Sequence, residues 1–361
     1  MDPQEQDGMS PDSLYNNIPG YEAMLSVSTG ELCHPPVLSE QYARPEIQSS
    51  CPTWEIPSLS KEDALKALLM YASEKTCYST KPAKEGVITN MEVFDTYRYR
   101  LETFTETRTT EWCHMPYYGQ TIDTSGQIPP GPWEMEVKTP PFFFDSSETI
   151  EVPHTAFVKM CHFCNAVGTT LCFTCSGACF NRCSACHGSG YFSYYPNMQI
   201  CWTCGGAGRL TCWDCSGEGR LTCSVCSGKR KIKVSINLVV NWLNSIDEDC
   251  VELSSGLQMF KLRSAPGISV FTDSNYMVYP VTYFPNPTIA QISERLLKEH
   301  RERFSPTSRT LQQRQTIEVI PVTKVTYEWK EESHVFFVYG TDGRVSADDY
   351  PATCCGCCPL M

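Results

Sequence analysis

At 361 residues and 41% hydrophobic content, the chain can bury a sizeable core and exceeds the length of one modal domain. Its formal net charge of -12 offers no concentrated basic face for phosphate, which argues against nucleic acid as a general partner. The acidic start "MDPQEQDGMSPDSLYNN" lacks a basic region and an apolar run, and no later stretch approaches the roughly 18 apolar residues of a spanning helix, so neither a secretory signal nor a transmembrane segment is expected. The expected compartment is therefore the cytoplasm or the nucleus. In that reducing setting, the 22 cysteines read first as metal ligands or free thiols.

Residues 1–57 are rich in Pro, Ser, Glu and Gln without sustained periodicity, the composition of a disordered leader. Ser60 then caps a predicted helix through "SKEDALKALLMYASEK", with Asp63 placed for a capping box and Leu65, Leu68, Leu69 and Ala72 as its apolar stripe. From Val87 to Met115 the pattern turns to alternation, clearest where Tyr97, Tyr99 and Leu101 interleave with Arg98, Arg100 and Glu102, predicting a half-buried strand. Further strands are expected on either side of a cysteine array. Val152, His154, Ala156, Val158 and Met160 share one face before it, and Ile232, Val234, Ile236, Leu238 and Val240 alternate with polar residues after it.

A second helix is predicted through "NPTIAQISERLLKEHRERF", with Asn286 as cap, Pro287 at the first helical position, Ile289, Ile292 and Leu296 inward, and Pro306 beyond its end. A hairpin follows, in which "EES" is the expected turn between Trp329 and "HVFFVYG". The predicted class is α+β: a mostly antiparallel β core with at least two helices and an inserted hairpin-like arm. Residues 58–160 and 229–340 form its discontinuous domain, 161–228 the arm, and 341–361 a flexible cysteine-rich tail.

The arm carries six Cys-x-x-Cys pairs: Cys161/Cys164, Cys172/Cys175, Cys183/Cys186, Cys201/Cys204, Cys212/Cys215 and Cys223/Cys226. Zinc takes four tetrahedral ligands and one such knuckle supplies two thiolates, so twelve cysteines match three closed four-thiolate zinc sites. The gaps between successive pairs are 7, 7, 14, 7 and 7 residues, a palindrome about His187–Ile200. Folding back at that stretch sets the third pair against the fourth, the second against the fifth and the first against the sixth. Each inner site then shortens the loop that the next must close. Pairing of neighbours would share the central site, so the outer four knuckles distinguish the two schemes.

His162 and His187 adjoin ligand cysteines, but the thiolate count is complete without them, and surface hydrogen bonding is their expected role. Cys179 stands outside the pairs as a spare thiol, and Cys33, Cys51, Cys77, Cys113 and Cys250 show no ligand spacing.

"CSACHGSG", "CWTCGGAG" and "CWDCSGEG" match the Cys-x-x-Cys-x-Gly-x-Gly repeat and resemble DnaJ-type cysteine-rich domains. Ala166, Cys179 and Arg230 depart from it at glycine positions of the other knuckles while leaving every ligand in place. The resemblance implies nested zinc sites on an arm inserted into a β-rich polypeptide-binding domain. No His-Pro-Asp tripeptide occurs, so the J domain's ATPase-stimulating device is absent. The whole pattern is similar to the SSU-two homologue family, over about residues 58–340.

The expected function is non-catalytic zinc binding combined with chaperone-like or scaffold binding of proteins or unfolded polypeptides. Phe173, Trp202, Trp213, Tyr191 and Tyr194 are the candidate contacts, since an arm too thin to bury rings presents them as a ribbon, with Phe173 expected near Trp213. The competing reading has these rings covering the zinc sites and packing on the main domain. An alternative from another class is thiol–disulfide exchange through one Cys-x-x-Cys pair. At the end of the sequence, Cys358-Pro359-Leu360-Met361 fits a C-a-a-X box with Met361 favouring farnesyl, and Cys354, Cys355 and Cys357 are candidates for palmitate, which would give peripheral membrane attachment.

Overall fold

Alternating apolar residues, set on strands of up to 30 residues, account for most of the architecture. The computed structural model describes residues 21, 31–36, 58–123, 127–194, 197–251 and 256–352. In chain order these form strand β1 (Glu31–Cys33), helices α1 (Lys61–Glu74) and α2 (Lys81–Glu85), and strands β2 (Val87–Pro116), β3 (Ser146–Glu151) and β4 (Phe157–Met160). Strands β5 (Thr169–Leu171), β6 (Phe180–Arg182), β7 (Tyr191–Tyr194), β8 (Asn197–Ile200), β9 (Arg209–Thr211) and β10 (Arg220–Thr222) lie in the cysteine-rich segment. Strand β11 (Lys231–Cys250), helix α3 (Met259–Arg263), strand β12 (Ile268–Asn275), helix α4 (Pro287–Phe304) and strands β13 (Arg309–Trp329), β14 (Glu332–Tyr339) and β15 (Arg344–Ser346) complete the chain. The protein is thus mostly antiparallel β with few helices.

The chain divides into two compact units. One gathers the described residues of Met1–Cys33, Arg108–Glu136 and Glu148–Val240; the other gathers those of His34–Thr107, Val137–Ser147 and Asn241–Met361. In the second, the strand order is β15-β14-β13-β2, with β12 added to β13 and β11 on the far side of β2. In the first, β1 pairs with the end of β2, from Glu31↔Thr110 to Cys33↔Arg108, and β4 pairs with the start of β11. Strand β1 falls within the stretch read from composition as a leader.

In the second unit, α1 begins as its capping box dictates. Ser60 Oγ accepts from the Asp63 N–H at 3.1 Å and donates to the Asp63 carboxylate at 2.8 Å. Its buried face is Ala64, Leu68 and Ala72 against Val325, Tyr327, Phe336 and Val338. Leu65 and Leu69 flank that face, since the small alanines let the helix backbone approach the sheet closely. Helix α4 is capped by Asn286, whose Oδ1 accepts from the Thr288 N–H at 2.9 Å. It buries Ile289, Ile292, Leu296 and Leu297 against Tyr99, Leu101 and Ile317.

Three local expectations are corrected. The hairpin turns at Lys330-Glu331, φ 53° and 69°, and Glu332 already pairs with Trp329. Two positive φ values make the tight turn whose twist matches the flanking strands, so pairing continues farther than the polar "EES" suggested. Val152–Met160 is not one strand either: β3 ends at Glu151, Pro153 withholds a ladder donor, and His154 sits at φ 62°. Arg98 and Glu102, placed on a wet face by alternation, are buried. Arg98 donates to Glu318, and Glu102 accepts from Arg314 Nη2 at 2.9 Å and Asn244 at 3.2 Å, so both faces of β2 are covered there.

A buried hydrogen-bond chain ties α4 to the sheet of this unit. Gln313 Nε2 donates to Thr103 Oγ1 at 3.1 Å, Thr103 Oγ1 meets His300 Nδ1 at 2.7 Å, and His300 Nε2 meets Asp247 Oδ2 at 2.8 Å. With His300 neutral, every link has a donor and an acceptor. Desolvation is the main cause of its lowered pKa and Arg303 adds to it, outweighing the pull of Asp247 and Glu299 in the other direction. The unfolded chain therefore takes up a proton first, near the ordinary value of about 6.5. Stability held above that pH is lost as pH falls below it, and the lowered Asp247 carboxyl acts with the same sign at more acidic pH. Urea unfolding of the full chain should show a loss of up to about 1.4 kcal/mol per pH unit just below pH 6.5. In a His300→Gln variant this slope should flatten; an unchanged slope would show that His300 is not its source.

Candidate metal centres

The cysteine-rich segment folds back on itself as a ladder of short antiparallel rungs. β5 pairs with β10, β6 with β9 and β7 with β8, in the registers Thr170↔Leu221, Asn181↔Leu210 and Phe192↔Gln199. Between rungs the backbone exchanges further bonds, such as Cys183 N–H to Gly208 O at 3.0 Å and Cys201 N–H to Gly190 O at 2.8 Å. This close crossing of strands demands glycine. Gly190 and Gly208 sit at φ 81° and 69°, and a Cβ on either would come within 2.4 Å of a carbonyl oxygen opposite.

The fold-back brings the knuckles together in nested order. Cys161, Cys164, Cys223 and Cys226 form a base quartet; Cys172, Cys175, Cys212 and Cys215 a middle one; Cys183, Cys186, Cys201 and Cys204 a tip one. In each quartet the sulfurs all lie within 4.8 Å of one another. Opposed sulfurs across the ladder stand 3.7–3.8 Å apart. A tetrahedron of zinc–sulfur bonds of about 2.3 Å has edges of about 3.8 Å, so the opposed sulfurs already stand at the spacing such an ion requires.

The surroundings split the thiols of each quartet: burial and the neighbouring thiols push Cys161 up to about 12 and Cys172 and Cys204 up to about 11, while a partner in the same quartet is held low. Burial raises the pKa of Cys186, but the Gly190 N–H and three neighbouring thiols outweigh it and hold the value at about 6. At Cys212 the N–H groups of Cys215 and Asp214 outweigh burial and bring the thiol to about 7. At Cys164, burial is again overcome by the Gly168 N–H and the adjacent thiols, leaving about 7. Each quartet thus pairs a lowered thiol with a raised one, and binding a metal ion requires the raised thiols to give up their protons as well.

No histidine joins a quartet among the described residues. His162 faces the His114 ring at 6.5 Å, and the carbonyl of His187 accepts from Arg182 Nε at 2.6 Å. Cys179 also stays outside, its thiol 3.7 Å from Gly177 O.

Of the candidate contact residues, Phe173, Trp202 and Trp213 are 80%, 79% and 78% exposed; Phe163, in the first knuckle and not among those candidates, is 51% exposed. Phe173 and Trp213 both project into solvent. Tyr191 is exposed on β7, whereas the Tyr194 side chain and Cys354, Cys355, Cys357 and Cys358 lie outside the described residues. The sequence reading missed two features. Phe192 packs against Trp202 with ring centroids 4.9 Å apart, and Met198 and Ile200 join them as exposed apolar groups near the tip. Asp214, inside a knuckle, directs its carboxylate at a ligand sulfur. Both depend on which way side chains leave a knuckle, information that spacing alone does not carry.

The fold and the three quartets together define an antiparallel β protein with a nested four-cysteine ladder able to hold metal ions. No helix of the described residues is long and apolar enough to cross a membrane. Proteins named SSUH2 homolog resemble it along nearly their whole length. The one from Danio rerio is 46% identical over 97% of this chain and 96% of its own, and the one from Homo sapiens 37% identical over 96% and 93%. The one from Mus musculus is 33% identical, over 86% of this chain and 96% of its own. The chain belongs to the SSU-two homologue family. No family model matches it.

Proposed function

We propose that each quartet holds one zinc ion and that the stapled ladder is a rigid, non-catalytic arm presenting aromatic rings to protein partners or unfolded polypeptides. Zinc would supply no reaction chemistry here, only fixed distances between thiolates. Cys161, Cys172, Cys183, Cys201, Cys212, Cys223 and Cys226 are fully buried, which disfavours exchange with an outside disulfide. The observation that carries the reading is the exposure of one ring on each of four knuckles, Phe163, Phe173, Trp202 and Trp213. Large aromatic groups held rigid in water gain most when a partner covers them.

The test uses a Trp202→Ala/Trp213→Ala variant, with metal content checked by native mass spectrometry and binding to a labelled, chemically unfolded polypeptide followed by fluorescence anisotropy. Loss of one hot-spot ring costs about 2 kcal/mol, so affinity should fall at least about thirtyfold with the metal count unchanged. Equal affinity in a fully loaded variant would sink the reading. Insulin reduction by the metal-loaded protein, lost on one Cys→Ser change, would favour thiol–disulfide exchange instead.

A further inference from the structure

The three quartets differ in ways that bear on how firmly each grips an ion. Four residues after the second cysteine of a knuckle, the backbone takes a positive φ and can aim its N–H back at that sulfur. Gly168, Gly190, Gly208 and Gly219 do so, donating to Cys164, Cys186, Cys204 and Cys215 at 3.2–3.3 Å. At the other two knuckles the position belongs to Cys179 and Arg230, φ 70° and 67°, and among the described residues neither N–H bonds the sulfur of Cys175 or Cys226. The tip quartet therefore receives two such bonds, and the base and middle quartets one each.

Two further observations separate the middle from the base. The base thiols pack against Trp112, Phe157, Ile232 and Val234, whereas among the described residues Leu221 is the one partly buried apolar side chain packed against the middle ones. Asp214, lying between ligands Cys212 and Cys215, places Oδ2 3.7 Å from Cys172 Sγ and is held there by the Thr174 hydroxyl at 2.9 Å. Four thiolates around a divalent ion carry two net negative charges, and a carboxylate at that distance repels them.

We infer that the middle quartet is the exchangeable metal position of the ladder, releasing and reloading its ion while the base and tip keep theirs; this rests on the zinc reading above. The site receives one fewer such N–H bond than the tip, has less apolar packing than the base, and alone among the described quartets faces a carboxylate, although its four cysteines are buried and Cys204 of the tip is the less buried ligand. When it opens, each thiolate that lets go takes up a proton from solvent. The quartet lies between the β5–β10 and β6–β9 rungs, so emptying it leaves a joint in the ladder held by backbone pairing alone.

The test follows metal release from the full, zinc-loaded chain under reducing conditions, with the chromogenic chelator 4-(2-pyridylazo)resorcinol as probe and native mass spectrometry counting the ions left. One equivalent should leave in a fast phase and two in a slow one. Asp214→Asn keeps the bond to Thr174 and removes the charge; it should slow the fast phase about tenfold, the factor that 1.4 kcal/mol of relieved repulsion commands, without touching the slow one. Cys179→Gly, which places at this position the residue whose N–H bonds the knuckle sulfur at Gly168, Gly190, Gly208 and Gly219, should act in the same direction. Release of all three ions in a single phase, or a fast phase indifferent to Asp214→Asn, overturns the inference while leaving the zinc reading standing. A reduced chain that takes up fewer than three ions when supplied with excess zinc would overturn the zinc reading itself, and this inference with it.

Discussion

Stripping metal from the reduced full chain with excess chelator should abolish amide protection across residues 161–228, while amides of the β2–β13 pairing keep theirs. Metal-free, the ladder has little else to hold it. Its β5–β10 and β6–β9 rungs pair three residues with three, and isolated two-stranded pairs are marginal in water. Its middle and tip clusters consist mainly of the cysteines themselves, joined by Leu221 in the middle and by Phe192 and Leu210 at the tip. A structural zinc site contributes on the order of 10 kcal/mol in small finger peptides, far more than those few contacts can replace. Hydrogen exchange read by mass spectrometry on peptides from both regions checks this, and protection that survives in verified metal-free protein would refute it.

The nested order makes the three sites dependent on one another. Paired sulfurs are 18 residues apart at the tip, 40 in the middle and 62 at the base. Closing the base loop unaided would cost about 1 kcal/mol more than closing the tip loop, from the logarithmic growth of loop entropy with length. Once the tip is closed, the remaining free chain is short for each later site. The palindromic spacing and the two N–H bonds at the tip sulfurs therefore favour the same site as the nucleus.

The ladder was legible in the sequence because coordination chemistry leaves so little freedom: two thiolates per knuckle and equal arms on either side of a bend left two pairing schemes that share the central site, of which the fold-back realises the nested one. Helices α1 and α4 were legible from their caps and periodicity, and the buried face of β11 from strict alternation. Burial on the opposite face of β2 was not. Arg98 and Glu102 read as water-facing because their type is usually solvated, yet each meets a charge of opposite sign from β13, Glu318 and Arg314. That complementarity spans more than 200 residues of sequence, and no local pattern encodes it. Short elements such as α2, α3 and β12 escaped for a related reason: their packing partners, more than their own periodicity, stabilise them.

Replacing Arg98 with Met should destabilise the unit that contains it by about 3 kcal/mol or more, the usual consequence of leaving a buried carboxylate without its partner. Arg98 Nε reaches Glu318 Oε2 at 2.8 Å with Nη2 on the same carboxylate oxygen, and Nη1 donates to the carbonyls of Arg263 and Ala265 at 2.9 Å each. One guanidinium thus joins β2 to β13 and to the end of α3, with its side chain 6% exposed. Methionine keeps the aliphatic stem and supplies no donor, so the loss falls on the charge and the hydrogen bonds. The double change Arg98→Met/Glu318→Met removes the stranded carboxylate and should recover a large part of the deficit, though not the two carbonyl bonds. Urea midpoints for the three proteins, with exchange of the β13 amides as a local readout, decide the matter. A single variant within about 0.5 kcal/mol of the parent, the range of ordinary surface changes, would mean that water already serves Glu318 and those carbonyls.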